Sequence, residues 1–68
     1  VMENRLSFLR SQKGWTQQEL ADLVEVSRQT IISLENGRYN PSILLAFRLA
    51  HLFNTSIEEI FIYSEMEQ

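Results

Sequence analysis

The chain is 68 residues long and carries six Lys and Arg against nine Asp and Glu, for a net charge of −3. That length allows one domain with a thin core, and a 44% hydrophobic share argues against a disordered chain. No apolar run approaches the ~18 residues of a membrane span, and the absence of cysteine removes disulfides and thiolate metal sites.

Asn4 to Lys13 is predicted as the first helix. Leu6 and Leu9 mark its inner side, Asn4 serves as its cap, and Gly14 ends it. Phe8 lies off that stripe and is expected over another edge of the core. Thr16 and Glu19 have the spacing of a capping box, with Trp15 and Leu20 placed as a hydrophobic staple around it. The second helix follows as Gln17 to Val24, with Leu20, Leu23 and Val24 inward and a small Ala21 that lets the next helix cross closely.

Ser27 opens the third helix, Arg28 to Asn36, with Val26 and Ile31 repeating the staple and Gly37 at the left-handed position that closes it. At 100° per residue, Ile31, Leu34 and Glu35 share one side, and Gln29, Ser33 and Asn36 lie opposite, flanked by Thr30 and Ile32. Arg38 to Pro41 is a loop, since Pro41 disfavours helix at Asn40. The fourth helix runs from a Ser42 cap to about Phe53. Its inner side is read as Ile43, Ala46, Phe47, Leu49, Ala50 and Phe53, with Leu45 and Leu52 as a second stripe. Asn54 fits the residue after its end. Ser56 and Glu59 have capping-box spacing for a short fifth helix, about Ile57 to Phe61. The expected fold class is all-α, one five-helix domain spanning residues 1–68.

Two capped helices joined by about three residues make a helix-turn-helix, in which the second helix enters the DNA major groove. The residue identities reach further than the pattern. TQQELADLVEVSRQTIISLENGRYNPS resembles the Cro/lambda-repressor-like (XRE) helix-turn-helix regulators, with T-Q-x-E-L-A, V-S-R-Q-T-I, L-E-N-G and N-P-S in register. The resemblance covers roughly Asn4 to Phe61. It implies a lambda-repressor-like domain that binds double-stranded DNA as a homodimer and represses transcription from a short palindromic operator. It also suggests a terminal two-stranded ribbon, Ile62-Tyr63 against Val1–Glu3. Glu25 stands where the family usually has Gly; a non-Gly residue in a left-handed conformation costs on the order of 1–2 kcal/mol.

The candidate base contacts are Arg28, Gln29, Thr30 and Ser33. Gln is suited to paired bonds with adenine and Arg with guanine, and the start of a recognition helix is where base edges are touched. The alternative for this face is simple solvation. Ile32 has two readings, contact with a thymine methyl or packing and exposure without function. The candidate backbone contacts are Gln17, at the start of the second helix where the resemblance implies a phosphate contact, and Asn36, Arg38, Tyr39 and Asn40 after the third helix. Local cap and turn bonding is the alternative for this last group. Glu35 points inward and needs a partner; the resemblance supplies Arg10, as a structural ion pair. Leu45, Leu52, Ile57 and Tyr63 are assigned to a two-fold dimer interface, and Ile60 and Phe61 to the core.

His51 stands alone, without the neighbours of a metal site, and no catalytic constellation or phosphate loop is present, so neither a cofactor nor an enzyme is expected. Four of the acids, Glu58, Glu59, Glu65 and Glu67, follow Ile57, which leaves six bases and five acids, or +1, in the first 57 residues. The acidic end can face away from DNA, but long-range attraction should be weak. With no signal-peptide pattern at the N-terminus, a cytoplasmic location is the expectation. Restriction-modification control proteins share this build. The reading from another class is an antitoxin or protein-interaction adaptor that uses its acidic surface to hold a protein partner.

Overall fold

The computed structural model describes residues 3–62. In order these form β1 (Glu3–Asn4), α1 (Leu6–Gln12), α2 (Gln17–Leu23), α3 (Arg28–Glu35), α4 (Ile43–Leu52), α5 (Ile57–Ile60) and β2 (Phe61–Ile62). The two strands pair antiparallel, Glu3 opposite Ile62 and Asn4 opposite Phe61. A two-stranded terminal ribbon is therefore present, and its described residues are Glu3, Asn4, Phe61 and Ile62. Tyr63, Val1 and Met2, which belonged to its expected form, lie outside the described residues.

Hydroxyl caps start four of the helices. Thr16 accepts from the Glu19 amide at 3.0 Å while Glu19 accepts from the Thr16 amide at 2.8 Å, a complete capping box. Ser27, Ser42 and Ser56 accept from Thr30, Leu45 and Glu59. At Ser56 the reciprocal bond is absent; its hydroxyl donates to the Glu59 carboxylate instead. Asn4 departs from the simple cap expected of it. It sits in β1, two residues before the helix, where its Oδ1 accepts from the Leu6 amide and its Nδ2 donates to the Leu34 carbonyl at 2.7 Å.

The four longer helices all end in the same way. The amide of the residue two places past each cap turns back five residues: Trp15 to Arg10, Val26 to Ala21, Arg38 to Ser33 and Thr55 to Ala50. This is the Schellman motif, which needs a left-handed residue just after the cap. Gly14 and Gly37 supply it, both at φ 73°, as do Asn54 at 53° and Glu25 at 61°. Glu25 thus holds a glycine conformation in the turn of the helix-turn-helix, with a strain cost of about 1–2 kcal/mol.

The core joins Leu6, Leu20, Ala21, Val24, Ile31, Leu34, Leu45, Ala46, Leu49, Ala50, Ile60 and Phe61, with Leu9, Trp15, Val26, Leu52, Phe53 and Ile57 packed on its edges. Trp15 and Phe53 meet with ring centroids 5.7 Å apart. Several sequence assignments change here. On α4, Leu45 is 5% exposed, while Ile43 is 76% and Phe47 60% exposed. The helix is turned by roughly one residue step from the expected face. Leu23, expected inward, is 50% exposed, and Phe8 lies outside the core with the Arg5 guanidinium 5.8 Å from its ring.

Candidate nucleic-acid interface

The site is built on α3, and α3 is fixed at several points. Its first turn is capped by Ser27, its C-terminal carbonyls are met by the amides of Gly37 and Arg38, and Leu34 also accepts from Asn4 across the fold. Ile31 and Leu34 anchor it in the core.

Glu35 makes the strongest of these attachments. Arg10 Nε donates to Glu35 Oε2 at 2.7 Å and its Nη2 donates to Oε1 at 3.3 Å, a forked pair with side chains 17% and 7% exposed. Arg10 Nη1 also donates to the Trp15 carbonyl at 2.8 Å, in the segment between α1 and α2. Gln17 completes the group by donating its Nε2 to Glu35 Oε1 at 3.1 Å. One carboxylate therefore ties α1, the start of α2 and the end of α3 into a single unit. Charge-assisted bonds of this kind are short and directional, so they fix the angle at which α3 is presented.

On the outward side, Arg28, Gln29 and Asn36 are exposed and Ser33 is half-buried. Arg28 and Gln29 stand in the first turn, where their side chains have no hydrogen-bond partner among the described residues. Thr30 is different. It is half-buried and its hydroxyl lies 2.9 Å from that of Ser27, within the cap. Beyond the helix, Arg38, Tyr39 and Asn40 are exposed in the loop that leads to α4. The result is a ridge carrying donors and acceptors, with cations at both ends. Such a surface suits hydrogen bonding to a partner's edges.

The expected interface residues do not form one surface. Leu45 is part of the core, because α4 packs through Leu45, Ala46, Leu49 and Ala50. Leu52 and Ile57 are half-buried and packed against that core, and Tyr63 lies outside the described residues. The exposed apolar side of α4 is instead made by Ile43, Leu44 and Phe47. Ile43 and Phe47 line an open groove with Ala46, Ile57, Glu58 and Phe61.

A profile for helix-turn-helix domains matches residues 6–60. The chain belongs to the XRE-type helix-turn-helix family. Its architecture is that of the lambda-repressor-like DNA-binding regulators. An uncharacterized HTH-type transcriptional regulator of Methanocaldococcus jannaschii is 48% identical over 66 residues, covering 97% of this chain and 100% of the relative. The competence pilus inhibition repressor of Acinetobacter baylyi is 48% identical over 60 residues, which are 85% of this chain and 53% of that protein. Among solved structures, the restriction-modification controller protein C.AhdI from Aeromonas hydrophila superposes with a TM-score of 0.72 at 33% identity, covering 81% of this chain and 83% of that one.

Two stabilising residues escape sequence reasoning. Arg48 donates from Nη1 to the Val24 carbonyl at 3.3 Å, which ties α4 to the end of α2. Asn4 reaches Leu34 across 30 positions of chain. Nothing in the spacing of either residue signals its partner. Among the described residues, no helix is long and apolar enough to cross a membrane, and no group of three metal-ligating side chains occurs.

Proposed function

We propose that this protein is a cytoplasmic homodimeric repressor that reads a short palindromic operator by laying α3 in the major groove. The observation that carries the reading is the outward face of α3, with Arg28 and Gln29 unpaired among the described residues at the start of a helix whose other side is locked by Arg10, Glu35 and Asn4. Arg28, Gln29 and Ser33 face base edges. Thr30 acts mainly through its bond to Ser27, so its base contact is the weakest of those expected. Gln17 approaches the backbone at the start of α2, held there by Glu35. Asn36, Arg38, Tyr39 and Asn40 grip a phosphate at the far end of α3.

The dimer contact moves to the exposed side of α4. Ile43, Leu44 and Phe47, with the groove over Ile57, supply the apolar surface that Leu45 does not. A second copy is the occupant that a palindromic site requires, because two-fold DNA symmetry calls for a two-fold protein with reading helices about 34 Å apart. The test is selection from random duplexes, followed by footprinting and sedimentation with and without the selected site. A palindrome protected by a dimer is expected. Binding to a half-site as tight as to the full site, by a monomer, defeats the dimer.

The adaptor reading draws on the net charge of −3 and on a relative named antitoxin HipB, 32% identical over 56 residues. It is favoured if selection enriches no sequence.

A further inference from the structure

We infer that Ile32 makes the outward face of α3 a reader of pyrimidine 5-methyl groups. The inference rests on the DNA reading above and adds a specificity that hydrogen-bonding residues cannot supply. Most large apolar side chains that are half-buried here, namely Leu9, Trp15, Val26, Leu52, Phe53 and Ile57, pack against the core. Ile32 is half-buried without joining that core among the described residues. Its place on α3 explains why. Ile31 and Leu34 take the inward side, while Ile32 stands roughly 60° from Gln29 and one turn from both Arg28 and Asn36.

A lone apolar residue left partly open to solvent needs no explanation by itself. This one sits amid the polar groups of a ridge otherwise built for hydrogen bonding, where a small polar residue would serve solubility and helix formation at least as well. Ile is also stiff, with one dominant rotamer in a helix, so little freedom is lost when it is pressed against a partner. In the major groove the bases offer one apolar feature, the C5 methyl of thymine, beside the O4 acceptor. 5-Methylcytosine carries the same methyl at the same place. With Gln29 and Arg28 alongside, Ile32 covers that methyl while the neighbours bond to the adjoining base edges. The ligand chemistry is a 5-methylpyrimidine in B-form duplex, and its two sources are separable by experiment.

The experiment is equilibrium binding of the full chain to its selected duplex. Deoxyuridine replaces thymine one position at a time, which deletes the methyl and keeps the pairing. In a parallel set, cytosines are replaced by 5-methylcytosine. Burial of one methyl predicts about a fourfold loss at one uracil position per half-site, or a similar gain at one methylated cytosine. The first result assigns the contact to thymine, the second to methylated cytosine. Ile32→Ser should bind the methyl and demethyl duplexes alike, with circular dichroism unchanged. Equal binding at every substituted position by the unaltered protein overturns the inference, as does an Ile32→Ser protein that keeps the same discrimination. Failure to enrich any duplex defeats the DNA reading itself. A selected duplex indifferent to every methyl defeats the role of Ile32 alone.

Discussion

Replacing Arg10 by Met removes the cation from a carboxylate that is only 7% exposed. Glu35 then keeps one donor, Gln17 Nε2 at 3.1 Å, and the Trp15 carbonyl loses its bond from Nη1. Removing one partner of a buried pair typically costs about 3–5 kcal/mol, because the remaining charge is left uncompensated. Arg10 is itself 17% exposed, so water reaches the site once it is vacated, and the cost should fall near 3 kcal/mol, the lower end of that range. A chain of this size has a total stability on the order of 3–10 kcal/mol. Arg10→Met should therefore consume about 30% of that stability or more. Combining it with Glu35→Leu removes both charges and refills the space with apolar atoms, which should recover about 2 kcal/mol or more. Urea titration followed by circular dichroism and by the fluorescence of the single tryptophan, Trp15, measures each corner of the double-mutant cycle. Losses in the double variant that equal the sum of the single losses, within about 0.5 kcal/mol, refute the coupling.

Other consequences follow from the same geometry. Glu25→Gly should raise stability by about 0.5–1 kcal/mol, since it relieves the strain at φ 61° but adds freedom to the unfolded chain; a thermal melt should shift upward by a few degrees, and a decrease contradicts the strain argument. Gln29→Ala should cost about 1–3 kcal/mol at the selected site and relax preference at one base position per half-site, seen by titration against all four bases at each position. Phe47→Glu should leave the fold intact, because the residue is 60% exposed, yet yield a monomer by sedimentation; a dimer that persists moves the interface elsewhere.

Much of this architecture was readable from short-range chemistry. The hydroxyl caps, the staple residues and the left-handed positions act within a few residues, so their spacing exposes them. That is how Thr16, Ser27, Gly37 and Asn54 mark helix ends before any packing is known. The strained Glu25 came instead from the resemblance, as a residue standing where the family usually has Gly. The orientation of α4 was not legible. Ile43, Leu44, Leu45, Ala46, Phe47, Leu49, Ala50 and Leu52 place apolar groups all round the helix, so periodicity has little contrast with which to choose a face. Packing decided it, burying Leu45 and turning Ile43 and Phe47 outward. The long-range hydrogen bonds of Asn4 and Arg48 lie beyond sequence patterning for a different reason. Each depends on where a distant carbonyl falls after the helices dock.

The most direct measurement of DNA reading by α3 is a salt titration of binding to the selected duplex and to a scrambled one. Arg28 and Arg38 are the exposed cations placed on the ridge and the loop after it. In the proposed dimer they bring about four cations to the DNA, Arg28 from within the groove and Arg38 at the backbone, and with roughly −0.9 per phosphate charge neutralised the slope of log affinity against log salt should be about −4. In the proposed complex Gln17, Asn36, Tyr39 and Asn40 hold phosphates as neutral donors, which release few counterions. Scrambled DNA should therefore bind poorly even at low salt, and the ratio of specific to non-specific affinity should stay high. A slope near −8, or scrambled DNA bound as tightly as the selected site, would contradict recognition by the α3 face.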